Sequence, residues 1–430
     1  MFLPIHIQFI GEESVYAVYL QNMLQTHDYF NAFYRPPLFL WAGLALQETF
    51  HFSSIELPLR IVSILCSLGS AAFSGLFAHK VFKKEHAGLI AALVFLTLGE
   101  IQFWYGWFGY ADAMFLFFIF SSTVCLWLAA QFRQTHWYIL AIILINLAFL
   151  TKALTAYAFF ISTMIIVTYH FKAWRFFLHP IRLILLSGII IAPMLWASFH
   201  GSSSSSASAS LIHDIAMRFH SIDILSYLKH IMTFPIEFIA RMAPVSFIIL
   251  FFLWKKNRCS ISPDLRMILL IVGINYLPYW LAPFSNMRHV VPLYAWASLA
   301  LSYYLIHSNI KIKKAALIGV TIALMLKIPF SLWGLPFLKE RDASQKFRPV
   351  AANIIQQVGN ATIRQSSVSF TGFAIVAYIN EAYGLKKNNI QFLTPNDHRV
   401  YVIAHTPLRG AELIKTYTLF GDKAYLLYLR

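Results

Sequence analysis

Long apolar runs fill most of the chain and decide what kind of fold it can adopt. Several approach or exceed the roughly 18 to 20 residues with which a helix crosses a bilayer. Of the 430 residues, 59% are hydrophobic and only 12% are charged, about half the charged fraction of soluble domains. The sequence therefore predicts an all-α polytopic membrane bundle of about ten transmembrane helices, at residues 62–80, 87–106, 113–132, 137–151, 154–170, 182–199, 235–254, 266–282, 290–306 and 314–334.

The net charge of +16 comes from basic residues in short loops between these runs. Alternate loops are rich in them, at Lys80, Lys83, Lys84, Arg133, Lys172, Arg175, Arg182, Lys255, Lys256, Arg258, Arg266, Lys311, Lys313 and Lys314. The positive-inside rule assigns these loops to the cytoplasm. The opposite face then carries residues 1–61, 106–112, 151–154, 200–234, 283–289 and the chain after about 335. Membrane lipids are the predicted partner of this charge, and nucleic acid is not, because the basic residues form no soluble basic patch.

The composition becomes more polar after about residue 339. Helices are predicted at 349–358 and 371–383, with strands at 365–370, 399–404 and 424–429. This pattern indicates a small α/β domain outside the membrane. The predicted organisation is an external loop with interfacial helices, a transmembrane bundle and an external domain, at residues 1–61, 62–335 and 336–430 respectively. The apolar stretch 38–50 is too short to cross and is predicted to lie in the interface.

Ionisable residues are scarce in this chain, and many of them map to the external face. Ionisable side chains near a bilayer are costly and often functional. Residues that are distant in sequence but share one face can form a site. The candidates are Glu12, Glu13, Arg35, Arg60, Asp112, Lys152, Arg218 and Arg288.

Each carboxylate has a structural and a functional interpretation. Asp112 directly precedes an apolar run, so it either caps that helix or belongs to a site. Glu12 and Glu13 precede an apolar pattern that indicates a helix lying along the surface. They are either a solvated helix start, favoured by the helix dipole, or a general base for an acceptor hydroxyl or amine.

The cations leave similar alternatives. Arg35 precedes two prolines that stiffen the backbone; it is either an interface anchor or a clamp for phosphate, which guanidinium binds through two parallel bonds. Lys152 either marks a turn between spans or snorkels to the interface, and Arg288 is an anchor or a second phosphate ligand. Residues 201–210 form a low-complexity run, which is either a flexible linker or a flap beside a site.

Other common chemistries lack a sequence signature. The sixteen histidines show no pair at reliable ligand spacing, so no metal site is predicted. The chain has no phosphate-binding loop, dinucleotide fingerprint or nucleophile elbow, and no cofactor is predicted. The three cysteines form no disulfide framework and are predicted to be free thiols.

Six short motifs resemble, in this order, those of the GT-C glycosyltransferases that use polyprenyl-phosphate sugars. The likeness is closest to the bacterial branch with the lipid A aminoarabinose transferases and relatives of the protein O-mannosyltransferases, and it covers about residues 10–335. Glu12 stands where the family usually has Asp, and Ala153 where it has Gly. The motifs are Glu12-Glu13-Ser14-Val15-Tyr16-Ala17, Arg35-Pro36-Pro37-Leu38, Arg60, Tyr110-Ala111-Asp112-Ala113, Leu150-Thr151-Lys152-Ala153 and Arg288-His289-Val290-Val291-Pro292.

The resemblance implies an inverting sugar transfer from a polyprenyl-phosphate donor to a lipid or protein acceptor. It implies that Glu12, with Glu13 beside it, orients or deprotonates the acceptor and that Asp112 is the second carboxylate. Arg35 would bind the lipid-linked phosphate, and the further candidates for that role are Lys152, Arg218 and Arg288. The expected location is the periplasmic face of a bacterial inner membrane, with lipopolysaccharide modification as the expected process.

Three alternatives to a glycosyltransferase remain open. A transporter or flippase of lipid-linked substrates would place ionisable residues in broken helices near the midplane, whereas here they lie at one edge. A non-catalytic scaffold would bind a partner through its external domain. The family has a complete span before its first acids, and only about ten residues precede Glu12 here. Either the start is misassigned or the chain is an inactive truncated paralogue.

Overall fold

The computed structural model describes residues 7–30, 36–199, 224–254, 261–283, 285–334, 337, 346–359, 361–366, 370–384, 390–419 and 422–430. Helices make up most of the described chain. The first group is α1 Glu13–Thr26, α2 Leu38–Phe50, α3 Glu56–Phe82, α4 Ala87–Leu96, α5 Gly99–Phe103, α6 Ala111–Phe132, α7 Thr135–Thr151, α8 Thr155–His170, α9 Trp174–Phe177, α10 Pro180–Ser187 and α11 Ile191–Phe199. The second group is α12 Ile224–Arg241, α13 Val245–Trp254, α14 Pro263–Leu281, α15 Leu293–His307, α16 Ile310–Pro329, α17 Phe347–Val358 and α18 Phe370–Ala382.

Several of these helices are long and apolar enough to cross a membrane, which confirms a multi-pass membrane protein. They span residues 56–82, 111–132, 180–198, 263–281 and 313–334, and shorter apolar helices occupy 87–96, 135–151 and 155–170. Helix α6 is the most buried of them and lies at the centre of the bundle, against α3, α7 and α8. The total of about ten spans stays a prediction.

Aromatic side chains fill the middle of this bundle. Trp127 of α6 stacks on Trp296 of α15, with ring centroids 5.8 Å apart. Phe77 of α3 meets both tryptophans edge to face, at 4.9 and 5.3 Å. All three rings are at most 2% exposed. Such offset and edge-on contacts favour one arrangement of the helices, and that arrangement fixes where the helix ends lie.

Two of the predicted spans contain a break at which the chain leaves the helix, whereas in the predicted span 182–199 a 3₁₀ turn, Gly188–Ile190, joins α10 to α11. The stretch 87–106 breaks between α4 and α5, and the stretch 235–254 breaks between α12 and α13. Pro244 lies in the second break and has no N–H to continue a helix. The breaks pack on each other, since Gly99 approaches the Ala243 carbonyl so closely that a Cβ would overlap it. Both stretches are mostly apolar and about as long as one span, so their sequences predict single helices.

The first helix lies inside the molecule instead of along its surface. Tyr16, Ala17 and Leu20 of α1 are at most 2% exposed, and α1 packs between α2 and α18. The prediction of a surface helix is therefore wrong, because α18 of the C-terminal region covers it. Helix α2 has the bounds predicted for the 38–50 stretch.

A mixed sheet and two helices form the C-terminal domain, the name used here for described residues 346–430. The strands are β1 Ile363–Gln365, β2 Gln391–Phe392, β3 Val400–Ala404, β4 Ala411–Leu419 and β5 Asp422–Leu429. The sheet has the order β2-β1-β3-β5-β4, in which β1 is parallel to β2 and β3 while β5 is antiparallel to β3 and β4. Helices α17 and α18 lie within two residues of the predicted bounds.

Candidate active site

Four ionisable side chains from distant parts of the sequence form one cluster. Arg288 Nη1 lies 2.6 Å from Glu12 Oε2, and Arg288 Nε donates to Asp112 Oδ2 at 2.8 Å. Lys152 Nζ donates to the other oxygen, Asp112 Oδ1, at 2.5 Å. The structure therefore unites Glu12, Asp112, Lys152 and Arg288, which we call the ion cluster.

Helix ends position these residues. Asp112 is in the first turn of α6, and Lys152 directly follows α7. Because α6 and α7 are consecutive antiparallel helices joined by a short turn, the start of one lies beside the end of the other. Arg288 lies in a 3₁₀ turn before α15, and the side chain of Asn286 accepts a hydrogen bond from its backbone N–H at 3.0 Å.

Asp112 is not a helix cap. The N-cap residue of α6 is Tyr110, which makes no capping hydrogen bond through its side chain. Both carboxylate oxygens of Asp112 are directed at cations. A charge that is 1% exposed needs such partners, and the two cations outcompete the backbone N–H groups at the helix start.

The cluster opens to its surroundings on one side. The side chains of Asp112, Lys152 and Arg288 are 1%, 14% and 15% exposed, and that of Glu12 is 27% exposed. Burial disfavours the charged guanidinium, but Asp112, with smaller contributions from Tyr16 and Glu12, outweighs it and raises the pKa of Arg288. Arg288 Nη2 also lies 2.7 Å from Asp112 Oδ2, and this nitrogen atom is buried. Both Nε and Nη2 of the guanidinium are therefore directed at Asp112, and Nη1 is directed at Glu12.

Glu13, the neighbour of Glu12, has a different environment. Its carboxylate accepts hydrogen bonds from Arg60 at 3.0 and 2.8 Å, from Gly109 N–H at 2.7 Å and from Ile10 N–H at 2.9 Å. The side chains of Arg60 and Glu13 are 0% and 2% exposed. Four donors around two oxygens leave little room for a substrate atom, so this arrangement favours a structural role for Glu13.

Tyr110 links the cluster to the start of the chain and was not singled out in the sequence as a site residue. Its hydroxyl donates to the Ile10 carbonyl at 2.6 Å and accepts from the Glu12 N–H at 3.1 Å. The Arg288 guanidinium lies over its ring, 5.0 Å from the centroid, where cations are attracted. Its position two residues before Asp112 was the available signal, but no sequence pattern reveals a backbone contact.

A second ion cluster lies at the two helix breaks and was also missed. Arg241 Nη1 is 2.5 Å from Glu100 Oε1, and Arg241 Nη2 is 2.7 Å from Glu237 Oε1. Glu100 is 1% exposed. Glu100 and Arg241 border a cavity of about 380 Å³. Its lining residues are Gly99, Glu100, Phe103, Trp104, Ala240, Arg241 and Ala243. The signal available in the sequence for part of this cluster was the spacing of Glu237 and Arg241, an acidic and a basic residue four positions apart on a helix.

Two of the predicted phosphate ligands, Arg35 and Arg218, lie outside the described residues, as does the low-complexity run at 201–210. Helix α2 begins at Leu38, directly after the two prolines that follow Arg35.

Comparison with known proteins identifies the fold of the chain. No family model matches the chain, and no curated protein matches it. Among solved structures, ArnT from Cupriavidus metallidurans in the apo state aligns with a TM-score of 0.71 and 12% identity, over 98% of this chain and 94% of that one. The same protein bound to undecaprenyl phosphate aligns with a TM-score of 0.70 and 14% identity, over the same shares. The chain thus has an ArnT-like fold, which confirms at the level of fold the predicted resemblance to the GT-C transferases.

Proposed function

We propose that the chain is a membrane glycosyltransferase that moves a sugar from a polyprenyl-phosphate carrier to a lipid or protein acceptor. The observation that carries the proposal is the position of Arg288 between Glu12 and Asp112. A partly open carboxylate and a partly buried guanidinium are thus in direct contact, 2.6 Å apart. The binding of undecaprenyl phosphate by the ArnT neighbour supports the carrier class.

The chemistry follows from these two groups. The Glu12 carboxylate takes the proton from an acceptor hydroxyl, and the acceptor oxygen forms a bond to the anomeric carbon of the sugar. The bond from that carbon to the phosphate oxygen breaks, and the electron pair stays on the carrier phosphate. Attack opposite the leaving phosphate inverts the anomeric configuration.

Arg288 and Lys152 stabilise the charge that develops on the leaving phosphate. A fixed cation aimed at this charge stabilises the transition state in a site of low polarity. Lys152 and Arg288 are 14% and 15% exposed, so both cations reach the open part of the cluster. Asp112, buried between both cations, holds them in place, and Arg35 and Arg218 stay proposed as further phosphate ligands.

The ion cluster favours transfer over transport. Its members lie at the ends of α6 and α7 and in the turns before α1 and α15. Transporters place such groups near the bilayer midplane, within unwound helices. We further propose that the cluster faces the periplasm, because the loops at the opposite helix ends carry most of the basic residues.

Replacing Glu12 with Gln is expected to lower sugar transfer about 100-fold by removing the general base, and Asp112→Asn is expected to lower it comparably by loosening both cations. Transfer is measured in membranes with a panel of synthetic polyprenyl-phosphate sugars and labelled acceptor. Glu412→Gln is the control, since Glu412 pairs with Arg430 at an exposed edge. An active wild type matched by both site variants would show that the proposed site is wrong.

A further inference from the structure

The segment that carries Glu12 is held from two sides. We call described residues 7–13 the N-terminal segment. On the bundle side, Arg60 of α3 donates to the carbonyl oxygens of Ile7 and Gln8 at 2.9 and 3.3 Å. On the other side, the C-terminal domain contributes the Tyr378 hydroxyl, which accepts from the Phe9 N–H at 3.1 Å. The segment therefore lies between Arg60 and Tyr378, which are 318 residues apart in sequence.

Tyr378 joins three elements through one hydroxyl. Besides accepting from Phe9, it donates to Glu56 Oε1 at 2.7 Å, and Glu56 opens helix α3. Its ring packs on the Phe9 ring with centroids 4.9 Å apart, and it is 3% exposed. Arg60 lies one turn after Glu56 on the same helix. Removing this hydroxyl would leave both a backbone N–H and a buried carboxylate short of a partner.

Arg348 of α17 completes the same junction. Its backbone N–H donates to Gln8 Oε1 at 3.1 Å, and its guanidinium lies 3.2 Å from Glu56 Oε1 and 3.4 Å from Glu381 Oε1. The guanidinium also lies over the Tyr378 ring, 4.6 Å from the centroid. Two carboxylates thus share one cation directly beside the N-terminal segment.

We infer that Tyr378 and Arg348 are positioning residues through which the C-terminal domain holds the N-terminal segment and sets the place of Glu12. Glu12 is three residues from Phe9, and its carboxylate meets Arg288 at 2.6 Å. A displacement of about 1 Å in a reacting group can lower a rate about 100-fold. The catalytic part of this inference rests on the proposed function, whereas the attachment of the segment does not.

The junction also responds to pH through Glu381. Burial and the neighbouring Glu56 raise the pKa of Glu381 to about 7, against the opposing effect of Arg348. Its Oε2 is buried with no hydrogen-bond partner among the described residues. Because the folded state holds this proton more tightly than the unfolded chain does, the stabilisation is complete below about pH 4.5 and is lost as the pH rises through about 7. The groups facing Glu381 are Glu56, Arg348 and the backbone N–H of Ile55.

Hydrogen exchange of the peptide covering residues 7–16 tests the attachment without any substrate. Tyr378→Phe removes one hydroxyl and is expected to speed exchange there roughly tenfold, as the loss of a net hydrogen bond predicts. Tyr383→Phe is the matched control, because the Tyr383 hydroxyl donates to Gly359 O within the domain. Gln8→Ala, which removes only the acceptor for the Arg348 N–H, serves as a second variant if Tyr378→Phe folds poorly. Unchanged exchange in Tyr378→Phe and Gln8→Ala would overturn the inference.

Two further measurements separate positioning from stability and from the proposed function. At pH 8, Glu381→Gln is expected to exchange more slowly over residues 7–16 than the wild type, and at pH 5 equally, after correction for intrinsic rates. In transfer assays, Tyr378→Phe is expected to lower kcat about tenfold with little change in the KM of the donor. Faster exchange with an unaltered kcat would overturn the positioning role. An inactive wild type would contradict the proposed function instead, and exchange alone would then decide the attachment.

Discussion

Replacing Arg288 with alanine is expected to lower sugar transfer by about three orders of magnitude, the upper range for losing one preorganised donor in a transition state. The residue contacts both Glu12 and Asp112, and in the proposed mechanism its charge also stabilises the carrier phosphate. Its loss leaves Asp112 with Lys152 as a partner, so the helix ends stay paired and the protein is expected to fold. The measurement is kcat/KM for a polyprenyl-phosphate sugar in purified, detergent-solubilised protein.

Arg288→Lys distinguishes charge from geometry in the same assay. Lysine keeps one positive charge but lacks the planar fork that can reach two carboxylates and a phosphate together. We expect it to restore only a small part of the lost rate. Arg364→Ala is the matched control, because Arg364 pairs with Asp397 at 3.1 Å and is 22% exposed, comparable with the 15% of Arg288. Wild-type transfer by Arg288→Ala would remove Arg288 from the mechanism.

The grouping of the ion cluster could be predicted, because two residues separated by an even number of membrane spans lie on the same face of the membrane. Asp112 opens α6 and Lys152 follows α7, so two antiparallel helices bring them to one face whatever the details of packing. An even number of predicted spans also separates Arg288 and Glu12 from Asp112, which assigns all of them to the same face. Apolar run lengths and basic loops carry this information in the sequence, since each span must cross the whole hydrocarbon layer.

Which partner each charge selects could not be predicted, because that depends on side-chain direction. Adjacent helical residues point about 100° apart. Glu13 therefore turns to Arg60 while Glu12 turns to Arg288. The breaks beside Glu100 and Arg241 were also not predicted, because each lies in a mostly apolar stretch about as long as one span, although Pro244 was an available signal for the second. The burial of α1 was not predictable from local pattern either, as it is covered by α18, more than 340 residues later.

Glu13→Ala is expected to destabilise the protein by about 3–5 kcal/mol, the usual result of removing one partner from a buried ion pair. It leaves the fully buried Arg60 guanidinium without its carboxylate and the N–H groups of Gly109 and Ile10 without their acceptor. Glu12→Ala is the matched control, one residue away and 27% exposed; it is expected to lose transfer but keep its thermal midpoint. Thermal unfolding in detergent measures both variants.

The double variant Glu13→Leu with Arg60→Met identifies the cause of that loss. Replacing both charges with apolar groups removes the unpaired guanidinium, so the double variant is expected to unfold at a higher temperature than Glu13→Ala. It should stay below the wild type, because Arg60 also donates to the carbonyls of Ile7 and Gln8. A double variant no more stable than Glu13→Ala would mean that the unpaired charge is not the source. The roles of the two neighbouring acids differ if Glu13→Ala lowers the thermal midpoint and Glu12→Ala does not. Glu13 would then act through stability, and Glu12 through the rate of transfer.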